Sequence, residues 1–330
     1  MSTDFFSEIT YLMIETNSTC NLKCTTCNRE DLVASGLRED KYLSVSEFDE
    51  RIKIFKDCKI NTVKIEGISE PMLHPDFSKM CNILKGYFPD AFVIIATNCQ
   101  YNVDKVPFVD SLKYVDQVYL SIDGVEDIYE ETRLGAKWDK LLKFLNRIKD
   151  LVEEKERKEK LFINFTLTEK NYHTLPAIYQ LSEDYGLAGV RINLAQNWNE
   201  DEMNSHQFSK EVIETLKQYT DDLKGIPNWN YKDCFWPYAG VVIDVYGYIR
   251  QCIINTSQEP IFNVENAGFK DFFNNSEHYK RIRKSLSNDK AQPECENCDY
   301  KHLSPVLEEI FNGRECQNTP RKFNKGEVTS

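Results

Sequence analysis

The chain has 330 residues, of which 41% are hydrophobic, and this is enough for one large domain and a smaller one. Its formal net charge of −12 argues against general nucleic-acid binding, because neutralising phosphates requires a basic surface. The sequence has neither an apolar run long enough to span a membrane nor a signal peptide. Eleven cysteines then indicate metal or redox chemistry rather than disulfides, and we expect a cytoplasmic protein.

The first predicted strand, residues 11–16, leads into three closely spaced cysteines, Cys20, Cys24 and Cys27, in the pattern Cys-x3-Cys-x2-Cys. A short loop with three thiolates can hold three irons of a [4Fe–4S] cube, which leaves the fourth iron open to a substrate or cofactor. The alternatives are three structural thiols or a zinc site. Zinc usually takes a fourth ligand and favours paired Cys-x2-Cys units.

Strand and helix patterns alternate through the first two thirds of the chain, which predicts an α/β fold with a parallel sheet. Ser44 and Glu47 form a capping box at the start of one helix. Further helices are predicted at 75–88 and 138–152, and the charged run 153–160 is interpreted as a solvated helix end. The six strands are predicted at residues 11–16, 62–66, 92–96, 117–122, 162–167 and 189–194.

Polar motifs follow the second, third and fourth strands, at the edge where parallel β/α barrels carry their chemistry. They are Glu66-Gly67-Ile68-Ser69-Glu70-Pro71, Thr97-Asn98-Cys99 and Ser121-Ile122-Asp123-Gly124. With the cysteine loop, these motifs resemble the radical S-adenosylmethionine (radical SAM) superfamily, in which they read Gly-Gly-Glu-Pro, Thr-Asn-Gly and Ser-x-Asp-Gly. Three positions depart from that pattern. Thr26 replaces an aromatic residue, and Glu66 and Cys99 each replace a glycine.

The resemblance implies a partial (β/α)6 TIM-like barrel in which Cys20, Cys24 and Cys27 bind a [4Fe–4S] cluster. The open iron then chelates S-adenosylmethionine. One electron cleaves this cofactor to a 5′-deoxyadenosyl radical, which abstracts hydrogen from a substrate C–H. The cofactor-binding residues that the resemblance implies are Gly67, Glu70, Pro71, Asn98, Ser121, Asp123, Arg133 and Asn193.

Several residues near these motifs have two open interpretations. Arg133 pairs either with the carboxylate of the cofactor or with an acidic residue at the surface. Cys99 is either a small buried thiol or a hydrogen-atom donor to a substrate radical. Arg191 and His173 are candidates for a catalytic base. Positions predicted to line the pocket on the fifth and sixth strands are Asn164, Thr166, Thr168, Arg191 and Asn193.

The last third of the chain carries a second set of four cysteines. Cys234 and Cys252 flank a predicted β-hairpin with Gly247 in its turn, and Cys295 and Cys298 form a Cys-x2-Cys pair. Two such pairs can enclose a second [4Fe–4S] cluster, with structural zinc as the alternative. The spacing resembles the auxiliary domains called SPASM and, in shortened form, twitch. It implies one auxiliary cluster with an electron-transfer or structural role.

Two domains are therefore expected. Residues 1–215 form the radical SAM barrel with its [4Fe–4S] cluster, and residues 216–330 form a small twitch/SPASM-like domain of a β-hairpin plus helix with the auxiliary [4Fe–4S] cluster. Ser304 stands where a full SPASM domain has its next cysteine, which favours the twitch form. Cys58, Cys81 and Cys316 are interpreted as structural thiols.

In layout the chain resembles the butirosin-pathway radical dehydrogenase, a twitch enzyme. This implies oxidation of an alcohol on a sugar-like or aminosugar-like small molecule, with the auxiliary cluster accepting an electron. The alternatives are epimerisation or cross-linking of a ribosomally synthesised peptide, and a non-catalytic iron–sulfur scaffold. The expected partners are a small-molecule or peptide substrate and an electron donor such as flavodoxin or ferredoxin, without nucleic acid or membrane.

Overall fold

The computed structural model of the protein describes residues 4–195, 208–219, 234–253, 260–295 and 298. Within these residues nine strands form one sheet in the order β6-β5-β4-β3-β2-β1-β7-β8-β9. The strands are β1 Tyr11–Ile14, β2 Thr62–Ile65, β3 Phe92–Thr97, β4 Gln117–Ser121, β5 Leu161–Leu167, β6 Gly189–Leu194, β7 Gly240–Ile243, β8 Tyr248–Arg250 and β9 Phe262–Asn263. All six predicted strands are confirmed. They are parallel to one another, and β7 is parallel to β1.

The parallel strands bury one face more deeply than the other. On β5, Ile163 and Phe165 are fully buried, whereas Asn164 and Thr166, which alternate with them, are half-buried. Because side chains alternate across a strand, the apolar set packs in the core and the polar set lines the inner surface of the curved sheet. The described strands leave β6 and β9 as the two edges, so the sheet is an open, partial barrel, as predicted.

Most of the described helices lie between the parallel strands, and the last two follow β9. The helices are α1 Arg29–Ala34, α2 Val45–Lys53, α3 Phe77–Tyr87, α4 Phe108–Ser111, α5 Glu126–Thr132, α6 Trp138–Leu151, α7 Glu154–Lys160, α8 Leu175–Asp184, α9 Lys210–Lys217, α10 Trp236–Ala239, α11 Phe269–Asn275 and α12 Glu277–Ser287. The capping box is confirmed, since Ser44 Oγ accepts from the Glu47 N–H and Glu47 Oε2 accepts from the Ser44 N–H. None of the described helices is long and apolar enough to cross a membrane.

The charged run 153–160 differs from the prediction, because it forms a separate helix, α7, rather than the end of α6. Arg157 is the reason. Its buried guanidinium donates to the carbonyl groups of Lys149, Val152 and Tyr185, which bends the chain back after α6. The carbonyl groups at the end of a helix need such partners when they are buried.

The C-terminal unit extends the same sheet. Strand β7 pairs with β1, and β7 and β8 form the predicted antiparallel hairpin. Gly247 in its turn has a φ of +85°, which glycine adopts without a steric cost. The N-terminal segment also packs against this unit, because the Arg283 guanidinium lies 4.1 Å from the ring centroid of Phe5. The division at residues 215 and 216 stays a prediction.

Candidate active site

The three-cysteine loop lies over the carboxyl ends of the strands, where backbone and amide hydrogen bonds hold it. The N–H groups of Lys23 and Thr25 donate to carbonyl oxygens at and just after the end of α5, at 2.9 and 3.0 Å. Asn98, which follows β3, donates from Nδ2 to Asn21 Oδ1 at 2.8 Å and lies 3.8 Å from Cys20 Sγ. The loop is therefore fixed by the end of α5 and by the segment after β3, both of which are distant from it in sequence.

A cavity of about 250 Å³ opens between this loop and the strand ends. The predicted site residues that line it are Cys20, Cys24, Cys27, Gly67, Glu70, Asn98, Ser121 and Arg133. Asn164 and Thr166 of β5 also line it, as predicted, whereas Thr168 does not. Three thiols on one side and polar groups from four strand ends on the other suit a cluster and an amino-acid-bearing cofactor side by side.

Burial changes the acidity of the three thiols. It raises the pKa of Cys20 to about 11, and it raises the pKa values of Cys24 and Cys27 as well. The nearby Arg133 guanidinium opposes this effect by lowering the pKa of Cys24 and Cys27. Since metal ligands must be deprotonated, iron binding at these thiols would release protons.

Glu70 connects the loop after β2 to the end of β3. Its buried carboxylate accepts hydrogen bonds from the Asn98 N–H at 2.6 Å, from Thr97 Oγ1 at 2.8 Å and from the Met72 N–H at 3.0 Å. Burial raises the pKa of Glu70 to about 7, although these three hydrogen bonds lower it. Glu70 therefore holds the loop after β2 and the end of β3 together at the wall of the cavity.

Asp123 and Arg133 form a buried ion pair beside the cavity, with Arg133 Nε 2.8 Å from Asp123 Oδ2. The side chain of Arg133 is 11% exposed and that of Asp123 is 1% exposed. Arg133 thus pairs with an acidic residue, as one of its two interpretations expected, but the pair is buried rather than at the surface. Asp123 Oδ1 also accepts from the Thr166 N–H at 2.7 Å, and its carbonyl accepts from Asn171 Nδ2. Asp123 thus positions Arg133 at the cavity wall and ties β4 to β5.

Glu15 follows β1 and was not predicted to belong to the site. Its carboxylate accepts from the Ile68 N–H at 2.9 Å, from Arg38 at 2.8 Å and from the Val245 N–H at 3.0 Å. A Cβ atom on Gly67 would lie 2.0 Å from Glu15 Oε1. Gly67 is therefore required for close approach of two loops, which is a physical reason for a glycine in this motif.

Replacing Gly67 with alanine is expected to lower the free energy of unfolding by about 1–3 kcal/mol, because the added methyl group displaces a fully bonded buried carboxylate. Gly86→Ala is the matched control. Gly86 lies exposed in α3 with open space at its Cβ position, so alanine there should stabilise the protein by about 0.5–1 kcal/mol. Chemical denaturation of both variants measures the difference, and equal stabilities would contradict the assignment.

Cys99 lies in the core rather than at the cavity. Its side chain is fully buried, it does not line the cavity, and its thiol donates to the Thr97 carbonyl at 3.7 Å. Burial raises the pKa of Cys99 well above its usual range. The residue also has a φ of +62°, the left-handed conformation that the family's glycine would adopt without strain. The hydrogen-donor hypothesis for Cys99 therefore has no contact in the described cavity to support it.

Four other candidates lie beside the cavity or away from it. Pro71 is buried at the start of a short 3-10 turn. Asn193 reaches the cavity wall indirectly, because its Nδ2 donates to Asn164 Oδ1 at 2.6 Å. His173 is exposed on the turn before α8. Arg191 makes only donor contacts, and a guanidinium has no site that accepts a proton, so its assignment as a base is not supported.

The second set of cysteines comes together beside the hairpin. Burial raises the pKa of Cys234, and the nearby thiols of Cys252, Cys298 and Cys295 raise it further. Gln251 Nε2 donates to Cys295 Sγ at 3.3 Å, which links the Cys-x2-Cys pair to the strand that precedes Cys252. The structure thus gathers all four predicted ligands, which are separated by up to 64 residues in sequence.

Among the described residues, no three cysteine, histidine or acidic side chains form a group that could hold one metal ion. In a [4Fe–4S] cube each thiolate binds a different iron, whereas all the ligands of a zinc site bind one ion. Ser304 and Cys316 lie outside the described residues.

Comparison with known families agrees with this geometry. The sequence model of the Radical SAM superfamily matches residues 14–181, which is about half of the chain. The chain belongs to the radical SAM superfamily. A second model, the SPASM iron–sulfur cluster-binding domain, matches residues 234–299 and includes all four C-terminal cysteines. The protein is thus a radical SAM enzyme with a [4Fe–4S] cluster, S-adenosylmethionine and an auxiliary iron–sulfur site as its cofactors.

Individual relatives of this radical SAM protein are distant. GTP 3′,8-cyclase of Vibrio parahaemolyticus is 24% identical over 209 residues, which cover 63% of this chain and 60% of that protein. The chain thus spans about 60% of the length of this curated relative. The match with the structure of anSMEcpe with bound AdoMet covers 92% of this chain and 96% of the anSMEcpe chain, with 16% identity and a TM-score of 0.63.

The structure of Streptococcus suis SuiB bound to S-adenosylmethionine is similar to the same degree. It has 16% identity and a TM-score of 0.62, and the match covers 90% of this chain and 72% of the SuiB chain. At such identities the likeness of SuiB and anSMEcpe shows the fold alone. It extends through the radical SAM barrel and the C-terminal unit together.

Proposed function

We propose that this radical SAM enzyme oxidises an alcohol on a small sugar-like or aminosugar-like molecule. A cluster held by Cys20, Cys24 and Cys27, with S-adenosylmethionine beside it, would supply the 5′-deoxyadenosyl radical that removes a hydrogen atom from the carbinol carbon. A base would take the hydroxyl proton, and an auxiliary cluster held by the four C-terminal cysteines would take up the remaining electron, which would leave a ketone. One hydrogen atom, one proton and one electron are removed, so the oxidation balances.

The position of the second cysteine site carries this proposal. Cys234 and Cys252 pack against Met13 of β1, Val242 of β7 and Trp236. Strand β1 also leads directly into the three-cysteine loop, and β1 and β7 pair in register. The second cysteine site therefore contacts the strand that precedes the three-cysteine loop. This shared contact supports an auxiliary cluster that takes up an electron from the barrel interior.

The β5 side of the cavity supports a small polar substrate. Asn164 and Thr166 line it there with an amide and a hydroxyl group, and neither is among the residues implied to bind the cofactor. Such groups hydrogen-bond hydroxyl-rich ligands, and small-molecule sites commonly have a few polar groups of this kind. The wall carries three basic and three acidic residues, which are Lys23, Arg29, Arg133, Glu30, Glu66 and Glu70.

The second candidate function is modification of a peptide. Two relatives of similar fold, SuiB and anSMEcpe, have structures with a peptide, the precursor peptide SuiA and the Cp18Cys peptide respectively. Epimerisation or cross-linking of a ribosomally synthesised peptide would use the same hydrogen abstraction. It differs in the fate of the substrate radical, which would be quenched by a hydrogen atom or joined to another residue.

Isotope labels are expected to distinguish the two functions. The reduced, reconstituted enzyme is incubated with S-adenosylmethionine and a panel of aminosugars deuterated at the carbinol carbon. Alcohol oxidation transfers deuterium to 5′-deoxyadenosine and forms one ketone for each 5′-deoxyadenosine, as mass spectrometry can measure. A parallel incubation in D₂O with candidate peptides is the control. Deuterium gained by a peptide residue, with no ketone from any sugar, would contradict the proposal and favour epimerisation.

A further inference from the structure

A group of charged and aromatic side chains lies on the inner face of the sheet, one layer below the cavity. Arg191 of β6 donates to the Tyr119 hydroxyl at 2.6 Å, and its guanidinium carbon lies 4.8 Å from the centroid of the Tyr119 ring. Lys64 of β2 approaches the same ring, with Nζ 5.9 Å from the centroid. We call Lys64, Tyr119 and Arg191 the cationic floor.

The cationic floor has more positive than negative charge. Lys64 forms an ion pair with Glu66, and both side chains are about one fifth exposed. Arg191 contacts only neutral acceptors, the Tyr119 hydroxyl and Asn193 Oδ1 at 3.3 Å, and it has no carboxylate partner within the described residues. Arg191 is half-buried, so an anionic group that reached it would meet a guanidinium already oriented by two neutral acceptors.

The cationic floor connects directly to the cavity. Tyr119 and Ser121 lie two residues apart on the same face of β4, as do Lys64 and Glu66 at the end of β2, and Ser121 and Glu66 line the cavity. Two residues along a strand span roughly 7 Å. On the other side, Asn193 bonds both Arg191 and the cavity residue Asn164. The cationic floor does not line the cavity itself, but it lies next to residues that do.

We propose that Arg191, held by Tyr119 and assisted by Lys64, binds an oxyanion of the substrate, a phosphate or carboxylate group. This inference rests on the proposed function for the presence of substrate in the barrel, and it adds that the oxidised alcohol belongs to an acidic sugar or a sugar phosphate. The planar guanidinium fork suits two oxygens of such a group. The oxyanion would then lie roughly 7 Å below the strand ends, and the C–H bond of the substrate alcohol would lie at the level of the cavity.

Anion binding to the reconstituted holoenzyme with S-adenosylmethionine tests this inference. The probes are inorganic phosphate and, separately, acetate, each titrated at constant ionic strength against chloride. The readout is the apparent Kd from the shift of the thermal unfolding midpoint. We expect at least one probe to bind to the parent protein. Arg191→Gln should raise the apparent Kd of that probe by about tenfold or more, and Arg191→Lys should raise it less. The control, Arg147→Gln, removes a surface arginine that pairs with Asp104 and should change nothing.

Both probes distinguish the source of the oxyanion, because a response to phosphate indicates a sugar phosphate and a response to acetate alone indicates a sugar acid. Binding of neither probe to the parent protein would overturn the inference, and so would equal binding by Arg191→Gln and the parent. Circular dichroism and iron content confirm that each variant is folded and loaded. Since the readout is binding rather than turnover, failure of alcohol oxidation would leave this result intact.

Discussion

Replacing Cys20, Cys24 and Cys27 together with alanine is expected to reduce 5′-deoxyadenosine formation to the background level. The three thiols line one cavity with the residues that are implied to bind S-adenosylmethionine, and they are the thiolate donors of that cavity. Without them the cofactor has no iron to bind and no source of an electron. The measurement is quantification of 5′-deoxyadenosine by liquid chromatography after anaerobic reduction.

Cys81→Ala is the matched control for this prediction. Cys81 is fully buried in α3 and does not line the cavity, so its removal should cost some packing but no cluster and no cofactor cleavage. The account would be contradicted if the triple variant still produced 5′-deoxyadenosine, or if Cys81→Ala lost it while remaining folded.

Asp123→Ala is expected to have the largest effect on stability. It leaves the Arg133 guanidinium buried without its partner and removes the acceptor of the Thr166 N–H. Breaking a buried ion pair by removing one partner costs about 3–5 kcal/mol. Because Arg133 lines the cavity, the same variant should also bind S-adenosylmethionine more weakly. Chemical denaturation and equilibrium binding measure the two effects.

Asp104→Ala provides the comparison, since Asp104 makes the same type of contact with Arg147 at the surface. The two side chains are 47% and 43% exposed, so solvent screens the pair and its loss should be hardly measurable. Equal losses of stability in Asp123→Ala and Asp104→Ala would show that burial of the Asp123–Arg133 pair has no energetic consequence.

The sequence was sufficient to predict the barrel strands because each is a short apolar run between turn signals. Strand β6 has the predicted bounds of 189–194, and the others differ at their ends by one or two residues. The pairing of β7 with β1 was not predictable, since more than 220 residues separate strands that become neighbours only in the folded chain. Local patterns carry no information about such a pairing.

The site was predicted as a set of residues but not as a set of contacts. Asp123 and Arg133 were both selected, yet the sequence gives no indication that they bond each other rather than a cofactor. Glu15 was missed because its three partners come from three separate segments, although a carboxylate directly after a buried strand was the available signal. Lys64 and Tyr119 were also missed. The alternation of side chains across a strand, which identified Asn164 and Arg191, could have identified these two residues as well.

The central claim is that one chain carries a radical SAM cluster and a separate auxiliary cluster built on the same sheet. Iron and sulfide per chain after anaerobic reconstitution test it most directly, with a variant in which Cys234, Cys252, Cys295 and Cys298 are all alanine. The account predicts about eight irons and eight sulfides in the parent protein and about four of each in the variant. About four irons in both proteins would contradict it, because the C-terminal cysteines would then hold no cluster and could not accept the electron.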